Sequence, residues 1–357
     1  MHRLLLQAIS ALSVGAVLWA NCREKCVDAE ELKPACAGLM TSGWGGLPPP
    51  NLPFVDCAAV NVPWSALETA DQEFDGPGWE KIETARQRGL RLRLRIFCGI
   101  HAPDFVKKLG GAALSDPEHG LDSSQTGGVA IWNEFSKRGG ATACFWKREV
   151  LDQYEQLMAE VARRYDDAPE ICEVVNSACM TVFAEPFYRA HRNAGSNLRL
   201  WQAGLNLERD REAHQRAMLI HDRLFRKTRT SLAVNPWDII DDSPSHFRQS
   251  WDETRQFVEW ARERMGKKLV LQNNGFWLDS QRALEQDPKT SHLAYLRECP
   301  GSKGFQPRLS PKSDEEIFDL LDLALRFKAN FMEFASFRSC DPERLRKIDQ
   351  QLQSNPF

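Results

Sequence analysis

The amino-acid sequence predicts an α/β protein of the (β/α)₈ TIM-barrel class. The first observation is a rhythm after residue 40, in which a short apolar run, a loop and a longer helical pattern recur. Such alternation implies βα units around a parallel sheet. The second is the number of candidate strands, which is eight. The third is size, because 357 residues with 42% hydrophobic content can bury one large core, and a barrel needs about 250 residues plus loops.

The candidate strands are short apolar runs, and amphipathic patterns separate them. The strands are predicted at 41–46, 58–64, 90–97, 171–179, 231–237, 268–276, 303–309 and 329–336, and helices at 78–88, 148–166, 210–227, 252–265 and 315–327, with a closing helix at 341–353. Apolar residues in 148–166 recur at the i, i+3, i+4, i+7 spacing of a helix that lies on a sheet. An open doubly wound sheet of six or seven strands is the alternative, but no Gly-rich phosphate loop supports it.

The N-terminal residues predict export. A basic start, Met-His-Arg, precedes an apolar run that ends at Ala20, which is typical of a secretory signal peptide. We therefore expect a signal peptide at 1–20, a cysteine-containing arm at 21–40 and a barrel at 41–357, in a secreted or periplasmic protein. An uncleaved anchor is the competing interpretation, and only then is a stable membrane partner expected.

All ten cysteines follow the predicted signal segment. An even number in an exported protein permits disulfides. Disulfides formed by Cys22, Cys26 and Cys36 would link the N-terminal arm to the barrel. The apolar runs around Cys98 and Cys172 equally suit buried free thiols. No C-x-x-C pair occurs, which argues against a structural zinc site.

Charge and aromatic content narrow the class of ligand. The 46 basic and 49 acidic residues give a net charge of −3 without a long run of one sign, so a nucleic-acid partner is not expected. The chain has 11 Trp against 4 Tyr. An indole face stacks well on the C–H face of a sugar ring, although at least half of the Trp residues are expected in the core.

Polar and aromatic side chains recur at or just after the ends of the candidate strands. The side chains selected as candidate carbohydrate contacts are Trp44, Trp64, His101, Asn176, Asn235, Trp237, Asn274 and Gln306, with Trp277 as a further stacking face. Loops after barrel strands form the mouth where active sites are built. A strand-end Asn also suits a loop cap, so the recurrence on several strands, rather than any one residue, favours a shared cavity.

Three segments carry motifs in a characteristic order. Residues 64–96 contain W-x-x-x-E, then Phe-Asp, Trp and A-x-x-x-G-L before a strand, residues 99–106 read GIHAPDFV, and residues 145–171 have a helical pattern before the fourth strand. These segments resemble clan A glycoside hydrolases, such as bacterial β-galactosidases and related endo-glycosidases, which have a similar G-x-x-x-P-x-W and a similar helix before their fourth strand. The resemblance implies hydrolysis of O-glycosidic bonds by a pair of carboxyl groups, without a cofactor or metal.

The resemblance implies an acid/base carboxyl after strand four, and here that residue is Glu185. A general acid needs a raised pKa, which a partly dry cavity gives. The family usually has Asn directly before this Glu, whereas this chain has Ala184. The family's nucleophile follows strand seven, where this chain offers only Gln306. Glu333 on strand eight is the substitute, with pairing to a buried Arg as its alternative role.

The leading interpretation is therefore a glycoside hydrolase with Glu185 and Glu333 as its catalytic residues. Asp238 and Glu68 are the reserve carboxyls. The alternative is a carbohydrate-binding barrel that has lost its nucleophile, which Gln306 favours. A metal-dependent lyase or isomerase is a third possibility, disfavoured by the shortage of convergent ligands. His214 and His221, seven residues apart on one predicted helix, are expected on the surface.

Overall fold

Eight parallel strands close into a barrel in the computed structural model, which describes residues 32–43, 46–189, 193–337 and 339–356. The strands, β1 to β8 in chain order, are Gly38–Thr41, Cys57–Pro63, Arg91–Phe97, Ile171–Val175, Arg229–Ala233, Leu269–Phe276, Lys303–Pro307 and Phe331–Phe334. Each strand pairs in parallel with the next, and β1 pairs with β8. The predicted barrel is confirmed, with its first strand three residues earlier than expected.

Nine α-helices lie among the described residues. In chain order, α1 to α9 are Gly78–Arg86, Asp104–Leu109, Arg148–Tyr165, Ala194–Gln202, Leu207–Leu224, Trp251–Met265, His292–Glu298, Asp314–Arg326 and Pro342–Ser354. Side chains cap several of them; for example, Ser313 accepts a hydrogen bond from the Glu316 amide at the start of α8. None of the helices within the described ranges has the length and apolar character to cross a bilayer.

The alternation in β3 separates the two sides of the barrel wall. Leu92, Leu94 and Ile96 belong to the apolar core, which includes the inner faces of the surrounding helices. Arg93 and Arg95 point into the lumen, because Arg93 bonds to Gln272 on β6 and Arg95 bonds to Glu333 on β8. Neither β6 nor β8 is a neighbour of β3. Alternate residues therefore serve the helix layer and the lumen.

Two insertions extend the C-terminal end of the barrel. After β3, the strands Ala113–Leu114, Gly128–Asn133 and Arg138–Thr142 form a small sheet. After β5, Trp237–Ile239 and Arg248–Ser250 form an antiparallel pair. These insertions form part of the wall above the strand ends, where the candidate site lies.

The described cysteines are all buried free thiols: Cys36, Cys57, Cys98, Cys144, Cys172, Cys179, Cys299 and Cys340. For Cys36, the expected tie through a disulfide is therefore not present within the described residues. Cys22, Cys26 and the predicted signal peptide lie outside the described residues.

The two histidines that were predicted on the surface are buried instead. His214 packs between aromatic rings, and His221 shares a hydrogen bond with the Tyr154 hydroxyl.

Candidate active site

A cavity of about 1080 Å³, the mouth cavity, opens at the C-terminal ends of the strands. Five of the residues selected from the sequence line it: His101, Glu185, Asn235, Asn274 and Gln306. They follow or end β3, β4, β5, β6 and β7 in turn. Parallel strands place their carboxyl ends at one edge, which is the reason that residues far apart in the chain meet here.

A rigid loop carries Glu185 into the cavity. Its amide donates to the Phe183 carbonyl at 2.7 Å, and its carbonyl accepts from the Tyr188 amide at 3.0 Å. The loop is fixed by Arg189, a fully buried side chain whose Nη2 lies 2.9 Å from Oδ1 of Asp210 on α5. This buried ion pair holds the loop against the helix layer and so fixes the position of Glu185.

A chain of amides orients the Glu185 carboxyl. Asn273 Nδ2 donates to Asn235 Oδ1 at 2.9 Å, and Asn235 Nδ2 donates to Glu185 Oε1 at 2.8 Å. The Oε2 atom of Glu185 has no hydrogen-bond partner among the described residues. One carboxyl oxygen is therefore positioned by protein, and the other remains available to a bound molecule.

Burial raises the pKa of Glu185 above its ordinary value of 4.5. The hydrogen bond from Asn235 and the positive charge of Arg95 oppose this shift but do not cancel it, and nearby Asp238 adds to it. Glu185 thus retains its proton to a higher pH than an exposed glutamate. This is the property that a general acid needs, and it also lets the carboxyl donate a hydrogen bond to a ligand.

The second predicted catalytic residue, Glu333, does not line the cavity. It is fully buried in the lumen, where Arg95 Nη1 and Nη2 contact its Oε1 and Oε2 at 2.9 and 2.7 Å. Burial alone would raise the pKa of Glu333, but Arg95 and Arg93 lower it instead. This position does not fit the predicted role of Glu333 as a nucleophile. It fits the alternative role, in which Glu333 pairs with a buried arginine.

The two reserve carboxyls, Asp238 and Glu68, accept hydrogen bonds from other protein groups outside the cavity. Asp238 accepts hydrogen bonds from the Arg189 amide at 2.8 Å and from Gln249 at 2.7 Å. Glu68 accepts from Trp64 at 2.7 Å and from Gln153 at 2.5 Å. Neither residue lines the mouth cavity. Both carboxylates therefore stabilise local structure.

The residues directly at the ends of β4 and β7 carry groups other than carboxyls. Asn176 directly follows β4 and is buried, its Nδ2 lies 4.0 Å from the sulfur of Met218, and it does not line the cavity. The next residue, Ser177, is also buried and donates to the Ile96 carbonyl. Gln306 ends β7 and lines the cavity as an amide. Glu185 is the only carboxyl among the described lining residues.

The predicted stacking tryptophans need correction. Trp64 and Trp237 are buried in the core, where their indole N–H groups donate to Glu68 and Asp210. Trp277 packs against an apolar cluster, and Trp44 lies outside the described residues. The aromatic lining comes instead from Phe97, Trp132, Phe135, Phe183 and Tyr188. Four of these, all except Phe97, lie in the long segments after β3 and β4, and their loop position was the signal that could have identified them.

His101 lies on the cavity wall beside Phe97, with ring centroids 5.4 Å apart. Burial lowers its pKa, and the positive charges of Lys107 and Arg138 lower it further. The ring is therefore neutral at neutral pH and can exchange hydrogen bonds with a hydroxyl group.

One group of three possible metal ligands occurs in the described part of the chain, formed by Asp116, Glu118 and His119. None of these residues lines the mouth cavity. Asp116 already accepts a hydrogen bond from Arg199 at 2.5 Å, so a cation there would compete with a guanidinium. The group contributes to the structure of the loop after β3.

Several solved structures are similar to this chain. No protein-family model and no curated protein matches the chain. Among solved structures, endo-glycoceramidase II from Rhodococcus sp. is similar at 14% identity, with 88% of this chain and 76% of that chain covered and a TM-score of 0.48. A β-galactosidase from the psychrophilic Marinomonas ef1 is similar at 10% identity, covering 88% and 59%, with a TM-score of 0.48.

The catalytic domain of a β-amylase from Paenibacillus polymyxa is similar at 10% identity, covering 91% of this chain and 100% of that chain, with a TM-score of 0.47. All three solved structures are glycosidases, and the likeness to this chain lies in the barrel architecture. These similar structures are thus glycoside hydrolases, the class that the sequence segments resemble. A shared barrel does not define chemistry, because function depends on the residues of the site.

Proposed function

We propose that this protein is a carbohydrate-binding barrel that holds a glycan in its mouth cavity and does not cleave it with a pair of carboxyl groups. The observation that carries the proposal is that Glu185 is the single carboxyl among the described lining residues. Paired-carboxyl hydrolysis needs a second group about 5 to 9.5 Å from the first across the scissile bond. The strand that the resemblance assigns to the second carboxyl, β7, carries the amide Gln306 at this position.

The polar lining suits a molecule rich in hydroxyl groups. Asn274 Oδ1 is buried and has no hydrogen-bond partner among the described residues, so an incoming hydroxyl would satisfy it. Glu185 Oε2 offers a second open position, and Gln306 and His101 offer further donors and acceptors. A neutral polyol can use donors and acceptors of both kinds.

The apolar lining suits the rings of sugars. Trp132 is partly exposed to the cavity, and it stacks on His119 at 4.7 Å between centroids. Phe135 is 54% exposed, which is unusual for an aromatic side chain of its size. Exposed aromatic faces beside amides are the combination that binds pyranose rings.

Hydrolysis remains the second candidate, and one observation favours it. The raised pKa of Glu185 allows its carboxyl to protonate a leaving oxygen. In that case a group other than a carboxyl of the described lining must activate water or attack the sugar, and the neutral rings of His101 and His292 line the cavity as bases.

The experiment compares binding and turnover in the full chain and in Glu185→Gln. Calorimetric titration with a panel of oligosaccharides measures binding, and release of reducing ends measures cleavage. We expect binding without turnover in both proteins, about three- to tenfold weaker in Glu185→Gln because one open polar contact changes. Glu343→Gln, with a side chain 70% exposed on α9, is the matched control.

Turnover by the parent that disappears in Glu185→Gln would overturn the binding proposal in favour of hydrolysis. An absence of both binding and turnover across the panel would overturn both candidates. Circular dichroism melts of the three proteins show whether each variant is folded, so that loss of binding reports on the site.

A further inference from the structure

We propose that the glycan is acidic, bearing carboxylate or sulfate groups that two positively charged walls of the cavity hold. This inference rests on the proposed function and names the ligand class for the same site. The cavity is lined by four cationic side chains: Arg95, Lys137, Arg138 and Arg308. Against them stands Glu185 alone, in a protein whose net charge is −3. The lining therefore opposes the charge of the whole chain.

The first wall is the sheet inserted after β3. Arg138 begins the strand Arg138–Thr142, is exposed, and forms no ion pair with any residue that the structure describes. Its neighbour Lys137 pairs with Glu134 at 2.9 Å, with a lysine side chain that is 70% exposed. An exposed pair of this kind contributes little energy, so the lysine can turn to an anionic ligand at small cost.

The second wall follows β7. The Arg308 amide donates to the Phe276 carbonyl at 2.9 Å, which fixes the backbone at this position. The guanidinium lies 3.5 Å from the Asp279 carboxylate, and both side chains are nearly half exposed. This pair is loose and solvated, so the guanidinium keeps donors for a ligand.

The two walls face each other. Around the barrel, β3 and β7 are separated by three strands in either direction. Arg138 and Arg308 therefore approach the cavity from opposite sides. Two cations that flank one cavity create a positive potential between them, and the low-dielectric walls strengthen it. A chain of acidic sugars that crosses the mouth would meet both.

The deeper part of the cavity is neutral by comparison. Arg95 reaches the lining from β3, but Glu333 accepts hydrogen bonds from both of its terminal nitrogens. Amides of Asn235, Asn274 and Gln306 also line the cavity. The cationic groups that a ligand can reach are thus the exposed side chains, which places the acidic groups of the ligand at the rim and its ring hydroxyls on the amides.

The test is calorimetric titration of the full chain with three hexasaccharides: hexagalacturonate, a heparin-derived hexasaccharide and neutral cellohexaose. The first two distinguish carboxylate from sulfate as the recognised group. The variants are Arg138→Gln and Arg308→Gln, with Arg163→Gln as the matched control, because Arg163 is 68% exposed in the last turn of α3 and does not line the cavity.

We expect at least one acidic hexasaccharide to bind more tightly than cellohexaose. Each cavity variant should weaken it by about three- to tenfold, while Arg163→Gln leaves it unchanged. Raising NaCl from about 50 to about 300 mM should weaken acidic binding and spare neutral binding.

Binding of cellohexaose without preference for either acidic ligand would overturn this inference while leaving the proposed function intact. Equal losses in Arg163→Gln and in the cavity variants would also overturn it, since the attraction would then belong to the whole surface. No binding of any of the three would remove the proposed function together with this inference.

Discussion

Glu333 and Glu185 lie in adjoining regions of one barrel, yet their environments are opposite. In the lumen, Glu333 and Glu173 are fully buried and are matched by Arg95 and Arg93. In the mouth, Glu185 receives one amide hydrogen bond from the described residues. The pKa of Glu333 is lowered and that of Glu185 is raised. Burial raises both, and the difference is whether arginine directly contacts the carboxyl.

The two regions differ in whether their hydrogen-bonding atoms already have protein partners. The lumen network connects β3 with β4, β6 and β8 through Arg93, Arg95, Glu173, Gln272 and Glu333. Nearly all of its charged atoms have partners within the lumen, so the network stabilises the barrel, and of its members only Arg95 also lines the cavity. The mouth keeps open positions on Glu185 and Asn274, to which a bound molecule can donate or from which it can accept hydrogen bonds.

The largest expected effect comes from breaking the lumen network. Arg93→Met should lower the free energy of unfolding by about 3–5 kcal/mol, because it leaves the Glu173 carboxylate buried without its cation. Urea denaturation followed by circular dichroism measures this change. A loss below about 1 kcal/mol would show that the network is not needed for the fold. The exposed control Arg163→Gln should change stability by at most about 0.5 kcal/mol.

A smaller effect should distinguish a tryptophan of the buried core from one that lines the cavity. Trp237→Phe removes the N–H that donates to buried Asp210 at 2.9 Å and should cost about 1–3 kcal/mol of stability without changing glycan affinity. Trp132→Ala should instead weaken glycan binding, because its ring lines the cavity. Denaturation and calorimetric titration of both variants measure the two quantities. If Trp237→Phe lowered affinity while retaining full stability, the division would be wrong.

The smallest effect concerns pH. Since the pKa of Glu185 is raised, the folded protein binds this proton more tightly than the unfolded chain between 4.5 and the raised value. Stability therefore falls as pH rises through that window, and this contribution is absent in Glu185→Gln. The difference in unfolding free energy between parent and variant, measured from acid to neutral pH, should shift in favour of the variant as pH rises. A difference independent of pH would mean that the carboxyl is solvated.

Much of the site follows from the order of elements in the sequence. His101, Glu185, Asn235, Asn274 and Gln306 were selected because they end or follow predicted strands, and they meet in one cavity. The strand prediction suffices for this because every parallel strand delivers its carboxyl end to the same edge. Arg138 and Arg308 were not predicted as lining residues, since Arg138 lies in the insertion after β3 and Arg308 directly follows β7, where no periodicity encodes the direction of a side chain.

The sequence by itself determined the eight βα units, because apolar periodicity fixes which segments become strands and which become helices. Only the tertiary structure decided which polar residues face the mouth and which the lumen. Both sides of a barrel strand are covered, so a pattern of period two does not distinguish the positions of Glu333 and Gln306 along the barrel axis. The tertiary structure also decided that Trp237 belongs to the core, because its burial depends on Phe187 and His214, which come from a distant loop and helix.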